Sequence, residues 1–341
     1  MDITILICTH NSSKRIIQTL EHIINQKISN EIQWELIVVD YESSDDTINV
    51  IKSIWPQSLA PLIIINESKP GKTPALESGL ANSNGNYICI VDDDNWIFND
   101  YIDIAFKVMT INPEVGIIGA LGFAECEIDP PAWFQDYTDT FAVGHQSIKS
   151  GLLTTEDRAW FWGAGSVIRK SAWLKTIENG FIPFFNPSRN SEEANFKKGF
   201  IGGEDTELCF AIQLTGFKLW YEPNLKYKHY IPKNRLQLNY LNDATIGTSN
   251  AQPILRIYLS VLTSNNTKGI VRKIIYQNWY FHIAYLLFRY LTESIKSFNF
   301  INKLKRVQIQ KQYYAQLTTM FFIKNNFNSY VFKIKNLKNS N

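Results

Sequence analysis

Cysteine is scarce in this chain. Four in 341 residues, Cys8, Cys89, Cys126 and Cys209, lie far apart and form no CxxC pair. Cys8 and Cys89 sit in apolar runs, so buried, reduced thiols in a cytoplasmic protein are expected. No apolar run reaches the ~18 residues that a spanning helix needs. The opening MDITILICTHN has no basic leader and no cleavage site, so no signal peptide is expected. No GxGxxG follows the first apolar run, and its turn, CTHNSSKR, is poor in glycine; dinucleotide and nucleotide-phosphate loops both lose their signature. No internal repeat is visible. Acid is almost missing from one end: residues 244–341 hold 14 Lys and Arg against a single Glu293, whereas residues 1–243 hold 20 against 31 Asp and Glu. A body and a basic C-terminal extension with different partners follow from that asymmetry.

What is present is enough for a large core: 45% hydrophobic and 19% charged residues. ITILIC, WELIVVD, PLIIIN and YICIV read as strands, the last buried on both faces. Between them, SSKRIIQTLEHIINQ, SDDTINVIKSI and TPALESGLANS read as helices, the first with Ser12 or Ser13 as its cap. Alternating strands and helices predict an α/β fold with a mostly parallel sheet covered on both faces. Ligands bind such sheets beyond the carboxyl ends of the strands, where Asp40 and Asp92 stand. After residue 110 the pattern loosens. GIIGALGF is one more strand, DPPAWF a turn, and 124–160 a variable, substrate-facing segment. WFWGAGSVIRKSAWLK returns to order. A helix is predicted from about Asp205 to Leu214 with a stop at Gly216, then a strand KLWYE ending at Pro223 and a short strand LKYKHYIP.

The run YICIVDDDNWIF asks the sharpest question. Three adjacent carboxylates, Asp92, Asp93 and Asp94, close an apolar strand, and no fold requires that repulsion. Residues two apart on a strand share a side, so Asp92 and Asp94 would present oxygen donors suited to a hard divalent cation. A solvated acidic loop, or a cluster before the helix NDYIDIAFKV, is the plainer alternative.

ITILICTHN, ELIVVDYESSDDT, GKTPALESGL, YICIVDDDNW and GGEDTEL come in the order and approximate spacing found in the family 2 glycosyltransferases. Over residues 1–235 the chain resembles that family, which has the GT-A fold, a Rossmann-like mixed sheet flanked by helices. The resemblance implies an inverting, metal-dependent enzyme with a catalytic domain at 1–240 and a helical extension at 241–341. Asp92 and Asp94 would hold Mn2+ or Mg2+ against the diphosphate of a nucleotide-sugar donor, with Asp93 beside them. His229 would complete the metal site. Asp40 would hydrogen-bond the base, often uracil, although the usual Asp-Gly-Ser is replaced by Asp40-Tyr41-Glu42-Ser43 and position 42 loses a glycine. Thr9, His10 and Asn11 would line the donor rim, His10 standing where the family has Tyr. Lys72 would lie near the donor phosphates. Asp205 would be the base and Glu204 would orient it or bind acceptor, Gly202 and Gly203 giving backbone access. The alternative for the two acids is a pair satisfying a helix N-terminus. Trp160, Trp162 and Gly163 would pack against an acceptor sugar, or else belong to the core.

The extension, with KIIYQNWYFHIAYLLFRYL, INKLKRVQIQKQYY and SYVFKIKNLK, is helix-prone, basic and aromatic. It suits either an anionic membrane surface, for an enzyme at the inner face of the cell membrane with a glycan or lipid-linked acceptor, or packing on the body. No nucleic-acid partner is expected. A non-catalytic carbohydrate or nucleotide-sugar binding protein and a nucleotidyltransferase are the competing readings.

Overall fold

A computed structural model describes residues 1–154, 157–185, 202–263, 267–300 and 303–339. Positions 155–156 of the substrate-facing segment, and 301–302 and 340–341 of the extension, lie outside the described residues. Two compact units are present, the first built from 1–175 and 217–233, the second from 176–185, 202–216 and 234–339.

The first unit opens with β1 (Ile3–Thr9), α1 (Ile16–Ile24), β2 (Trp34–Asp40), α2 (Thr47–Ile54), β3 (Leu62–Asn66), α3 (Lys72–Asn82) and β4 (Tyr87–Ile90). Then come β5 (Asn95–Ile97), α4 (Tyr101–Ile111), β6 (Val115–Cys126), a 3-10 helix (Ala132–Phe141), β7 (Gly151–Leu153), β8 (Val167–Arg169), α5 (Lys170–Glu178) and β9 (Lys218–Ile231). The strands form one sheet in the order β3-β2-β1-β4-β8-β6-β9-β5, with β7 also paired to β9. The first four are parallel. In the rest, β6 and β9 are parallel, while β8, β5 and β7 run antiparallel to their neighbours.

Every residue of β1 and β2 is buried, as continuous apolar runs in a covered sheet should be. Ile16, Leu20 and Ile23 of α1 pack into the same core as Ile3, Ile5 and Ile7. The predicted cap of α1 is not used. The helix begins at Ile16, the Ser12 hydroxyl is bonded to Thr9 Oγ1, and the Ser13 N–H donates to Asp45. The strands predicted on either side of Pro223 are one strand, β9. Its pairing with β6 jumps from Gly119–Tyr221 to Leu121–Lys226, and Pro223, which has no N–H to give a ladder, sits in that irregularity. Burial pushes the thiols of Cys8 and Cys89 up to about 12.

The second unit is helical: α6 (Glu204–Leu214), α7 (Leu238–Leu262), α8 (Thr267–Tyr276), α9 (Trp279–Phe300), α10 (Lys303–Phe322) and α11 (Phe327–Asn339). The division therefore differs from a cut at 240, because α6 groups with the C-terminal helices. Glu207 of α6 accepts from Tyr258 Oη of α7 at 3.0 Å and from the Phe184 N–H at 3.1 Å. Gln308 of α10 donates to Asn242 of α7, and Trp279 of α9 to the Met320 carbonyl, both at 2.8 Å. No helix among the described residues is long and apolar enough to cross a membrane.

Candidate active site

The parallel half of the sheet sets Thr9 directly beside Asp40 at the carboxyl ends of β1 and β2. Beyond the end of β4 the chain turns through Asp92–Asp94 into β5. The turn is closed by Asn95 N–H donating to the Asp92 carbonyl at 2.9 Å. Asp92 and Asp94 are thus in a turn, and the strand alternation that would put them on one side does not apply. The turn is fixed from two directions: Thr19 Oγ1 donates to the Asp93 carbonyl at 3.0 Å, and the Tyr230 N–H to the Asp94 carbonyl at 2.8 Å.

The three carboxylates resolve their repulsion by taking three different partners. Asp92 Oδ1 is 2.6 Å from Lys72 Nζ, on the first residue of α3. Asp93 accepts from Arg15 Nη2 at 3.1 Å and from Thr9 Oγ1 at 2.9 Å. Burial and then the charge of Asp94 hold the Asp93 carboxyl above its ordinary range, with Arg15 and Thr9 pulling the other way. Asp94 Oδ1 lies 3.5 Å from His229 Nε2, which β9 delivers opposite Asn95.

His229 Nδ1 is 2.6 Å from the Phe141 carbonyl and must donate to it, so the neutral ring turns its Nε2 lone pair toward Asp94. An imidazole nitrogen facing a carboxylate oxygen suits a proton or a divalent cation between them. Among the described residues no group of three or more His, Cys, Asp or Glu is placed to hold a metal. The donors are a pair, which fits a cation that fills its other positions with phosphate oxygens and water. Asp92, expected as a third ligand, is turned to Lys72.

Around the rim, His10 stacks on Tyr41 at 5.2 Å between centroids and 14° between planes. Its Nδ1 donates to the Tyr41 carbonyl at 2.6 Å. Burial, then the charge of Asp93, push the Tyr41 hydroxyl up, which sets that ring among the acids. Asn11 spends its side-chain carbonyl on the backbone N–H groups of Ser44 and Asp45, at 2.8 and 3.3 Å, and so organises the loop after β2. Asp40 accepts from Ser43 Oγ at 2.5 Å. Glu42 has φ +60°, the left-handed conformation that a glycine adopts without cost.

The tryptophans share one arginine. Arg158 lies over both indoles, its Cζ 4.0 Å from the Trp160 centroid and 4.9 Å from that of Trp162, which is buried. Gly165 leaves no open gap. A Cβ on Gly165 would stand 2.5 Å from the Tyr227 ring, so that space holds a tyrosine, and the Gly163 carbonyl accepts from Ser166.

Glu204 and Asp205 begin α6 in the second unit. Gly203 precedes them with φ +109°, and a Cβ there would lie 2.6 Å from Ala251 Cβ. Its smallness admits α7. Glu207, one turn further on, is fully buried, and that burial pushes its carboxyl up to about 8. Arg15, Tyr41, Arg158 and Glu207 were not singled out from the sequence as site residues. The only available signal was their proximity in sequence to residues that were.

The sequence profile of "Glycosyl transferase family 2" matches residues 4–175. The chain is 26% identical to Glycosyltransferase GlyA of Streptococcus pneumoniae serotype 4 over 238 residues, 69% of this chain and 31% of that one. It spans less than two thirds of the length of the first curated relatives it matches. Its fold is similar to that of S. aureus TarS 1–349 in complex with UDP-GlcNAc, with TM-score 0.57, 13% identity, and coverage of 100% of this chain and 91% of that one. It is similar also to mannosyltransferase PcManGT from Pyrobaculum calidifontis in complex with GDP-Man and Mn2+, with TM-score 0.52, 16% identity, and coverage of 95% and 86%.

Proposed function

The chain belongs to glycosyl transferase family 2 and has a GT-A fold, and on that premise we propose that it moves a sugar from a nucleoside-diphosphate donor, a UDP-sugar, to a hydroxyl of a glycan or lipid-linked glycan in surface polysaccharide synthesis. The observation that carries this reading is the meeting of Thr9, Asp40, Lys72, Asp92–Asp94 and His229 at the carboxyl ends of β1, β2 and β4. A diphosphate needs positive charge and a fixed frame, and Lys72 and Arg15 bring both to that place.

In the reaction, the acceptor oxygen bonds to the anomeric carbon as the bond from that carbon to the diphosphate oxygen breaks. The electron pair leaves with the nucleoside diphosphate. The acceptor proton passes to Asp205, the proposed base, with Glu204 orienting it or holding the acceptor; the assignment is supported by the GGEDTEL motif and by the place of both acids in the first turn of α6. One displacement with one base inverts the anomeric carbon. Asp94 and His229 are the proposed holders of Mn2+ or Mg2+, with Asp92 joining them on leaving Lys72, and the chemistry such a cation would supply when bound is neutralisation of the departing diphosphate. Asp40 would accept from the base of the nucleotide, and the His10–Tyr41 stack offers that base an aromatic neighbour. Trp160 and Gly163 remain proposed acceptor contacts, with Trp162 acting through the Arg158 stack.

The test is a thermal-shift screen of UDP, GDP and CDP, each with and without Mn2+, on the wild type and on Asp94→Asn. Saturating ligand stabilises by about 2–3 kcal/mol, a shift of roughly 3–4 °C. UDP is expected to raise Tm only with Mn2+, and Asp94→Asn is expected to lose that rise. If no nucleotide gives a metal-dependent shift, the donor site is not here.

A further inference from the structure

Helix α9 is amphipathic in the reverse of the usual sense. From Tyr280 to Ile295 every exposed residue is apolar or aromatic, with Phe281, Ala284, Leu287, Phe288 and Leu291 between them. Phe288 is 64% exposed and Ile295 68%. The positions recur at three and four residues, so they form one stripe about 22 Å long at 1.5 Å per residue. The polar residues His282, Arg289 and Glu293 lie off the stripe, Arg289 part-exposed. His282 is fully buried and packs on Tyr276, with ring centroids 5.1 Å apart. Arg289 Nη2 is bonded to Glu293 Oε1 at 3.0 Å. Soluble proteins rarely leave so continuous an apolar face in water.

The helices that pack on α9 also expose apolar residues and lysines. Helix α8 packs against α9 and exposes Ile270, Val271 and Ile274 beside Lys268 and Lys273. Helix α10, on which α9 also packs, exposes Lys303 and Lys305. The single acid of residues 244–341, Glu293, is the one paired with Arg289.

We propose that the outer stripe of α9, with the exposed edge of α8, docks on an anionic lipid bilayer, the helices lying in the plane of the interface. The apolar stripe enters the acyl boundary while the flanking lysines meet lipid phosphates. A second copy of the chain is a poorer occupant, because pairing two such faces would bring two basic frames together. The inference stands apart from the transfer reaction, and either can fail without the other.

Flotation of the full chain with vesicles of phosphatidylcholine, alone or mixed with phosphatidylglycerol, tests it. The chain is expected to float with the mixed vesicles and to bind them about tenfold or more tightly than phosphatidylcholine alone. Phe288→Ser/Leu291→Ser, both exposed, is expected to leave the thermal melt in place and weaken binding by about tenfold or more. Lys268→Glu/Lys273→Glu is expected to lose the preference for phosphatidylglycerol, and it serves as the second variant should the first not fold. The proposal is overturned if the wild type floats with neither vesicle, or if both variants bind like the wild type. It is overturned also if the wild type sediments as a dimer that the serine variant dissolves, for then a second copy covers the face.

Discussion

Gly203→Ala should damage the second unit more than its single methyl suggests. The added Cβ would meet Ala251 Cβ at 2.6 Å, Leu255 Cδ1 at 3.4 Å and Phe185 Cδ2 at 3.9 Å. Unstrained carbons approach to about 3.5–4.0 Å, so α7 must retreat from α6 by roughly 1 Å. Overpacking of that kind costs about 1–3 kcal/mol. The positive φ of +109° adds a backbone penalty of about 1–2 kcal/mol for an L side chain. Against these, alanine restricts the unfolded chain and returns about 0.4–1 kcal/mol. The expected net loss is about 2–4 kcal/mol, read by urea denaturation with circular dichroism. The two costs separate in a double-mutant cycle. Ala251→Gly alone should cost about 1 kcal/mol, as glycine does within a helix. In combination it removes the clashing methyl and should return the packing cost but not the backbone cost, a coupling of about 1–3 kcal/mol. A Gly203→Ala protein within about 0.5 kcal/mol of wild type, or a cycle with no coupling, would refute the account of why glycine stands before Glu204.

Glu207 predicts a pH dependence. Its folded carboxyl is raised from 4.5 to about 8 by burial, so the stability it contributes is fully present below about pH 4.5 and lost as pH rises toward 8. In Glu207→Gln the fall across that window, up to about 1.4 kcal/mol per pH unit, should disappear, so that the two urea-denaturation profiles diverge as pH rises from 4.5 to 8; parallel profiles would mean that the carboxyl ionises in the fold without penalty. Glu42→Gly should raise stability slightly, by about 0.5 kcal/mol, because the left-handed position at φ +60° costs a glutamate more than glycine loses to unfolded-state entropy. A lower Tm for that variant would show that the Glu42 side chain stabilises the loop.

The parallel half of the sheet was legible because burial on both faces demands uninterrupted apolar runs, and ITILIC, WELIVVD and YICIV have few other readings. β9 was not, because Pro223 is a reliable strand terminator unless an irregularity absorbs it, and that irregularity depends on β6, a hundred residues earlier. The run of Asp92, Asp93 and Asp94 stands out in the sequence, but the partner of Asp93 does not. Arg15 meets Asp93 across 78 residues, and no local pattern encodes that meeting. Gly203 shows a different limit. A glycine beside an acidic pair reads as access for a ligand, and nothing local shows that Ala251 also needs its smallness. Trp160 and Trp162 flank an arginine that stands two residues before the first of them, yet spacing alone does not reveal which face a guanidinium covers.

The placement of His229 has a consequence for how the chain is made. Asp94 leaves the ribosome about 135 residues before His229, and at roughly 5–20 residues per second that is an interval on the order of ten seconds. Throughout it β6 lacks β9, its parallel partner, and β5 has no neighbour to pair with. Pairings so distant in sequence form slowly. The turn that carries the acids is therefore synthesised early and completed late, and a nascent chain stalled before residue 229 would hold the three aspartates without the histidine that faces them.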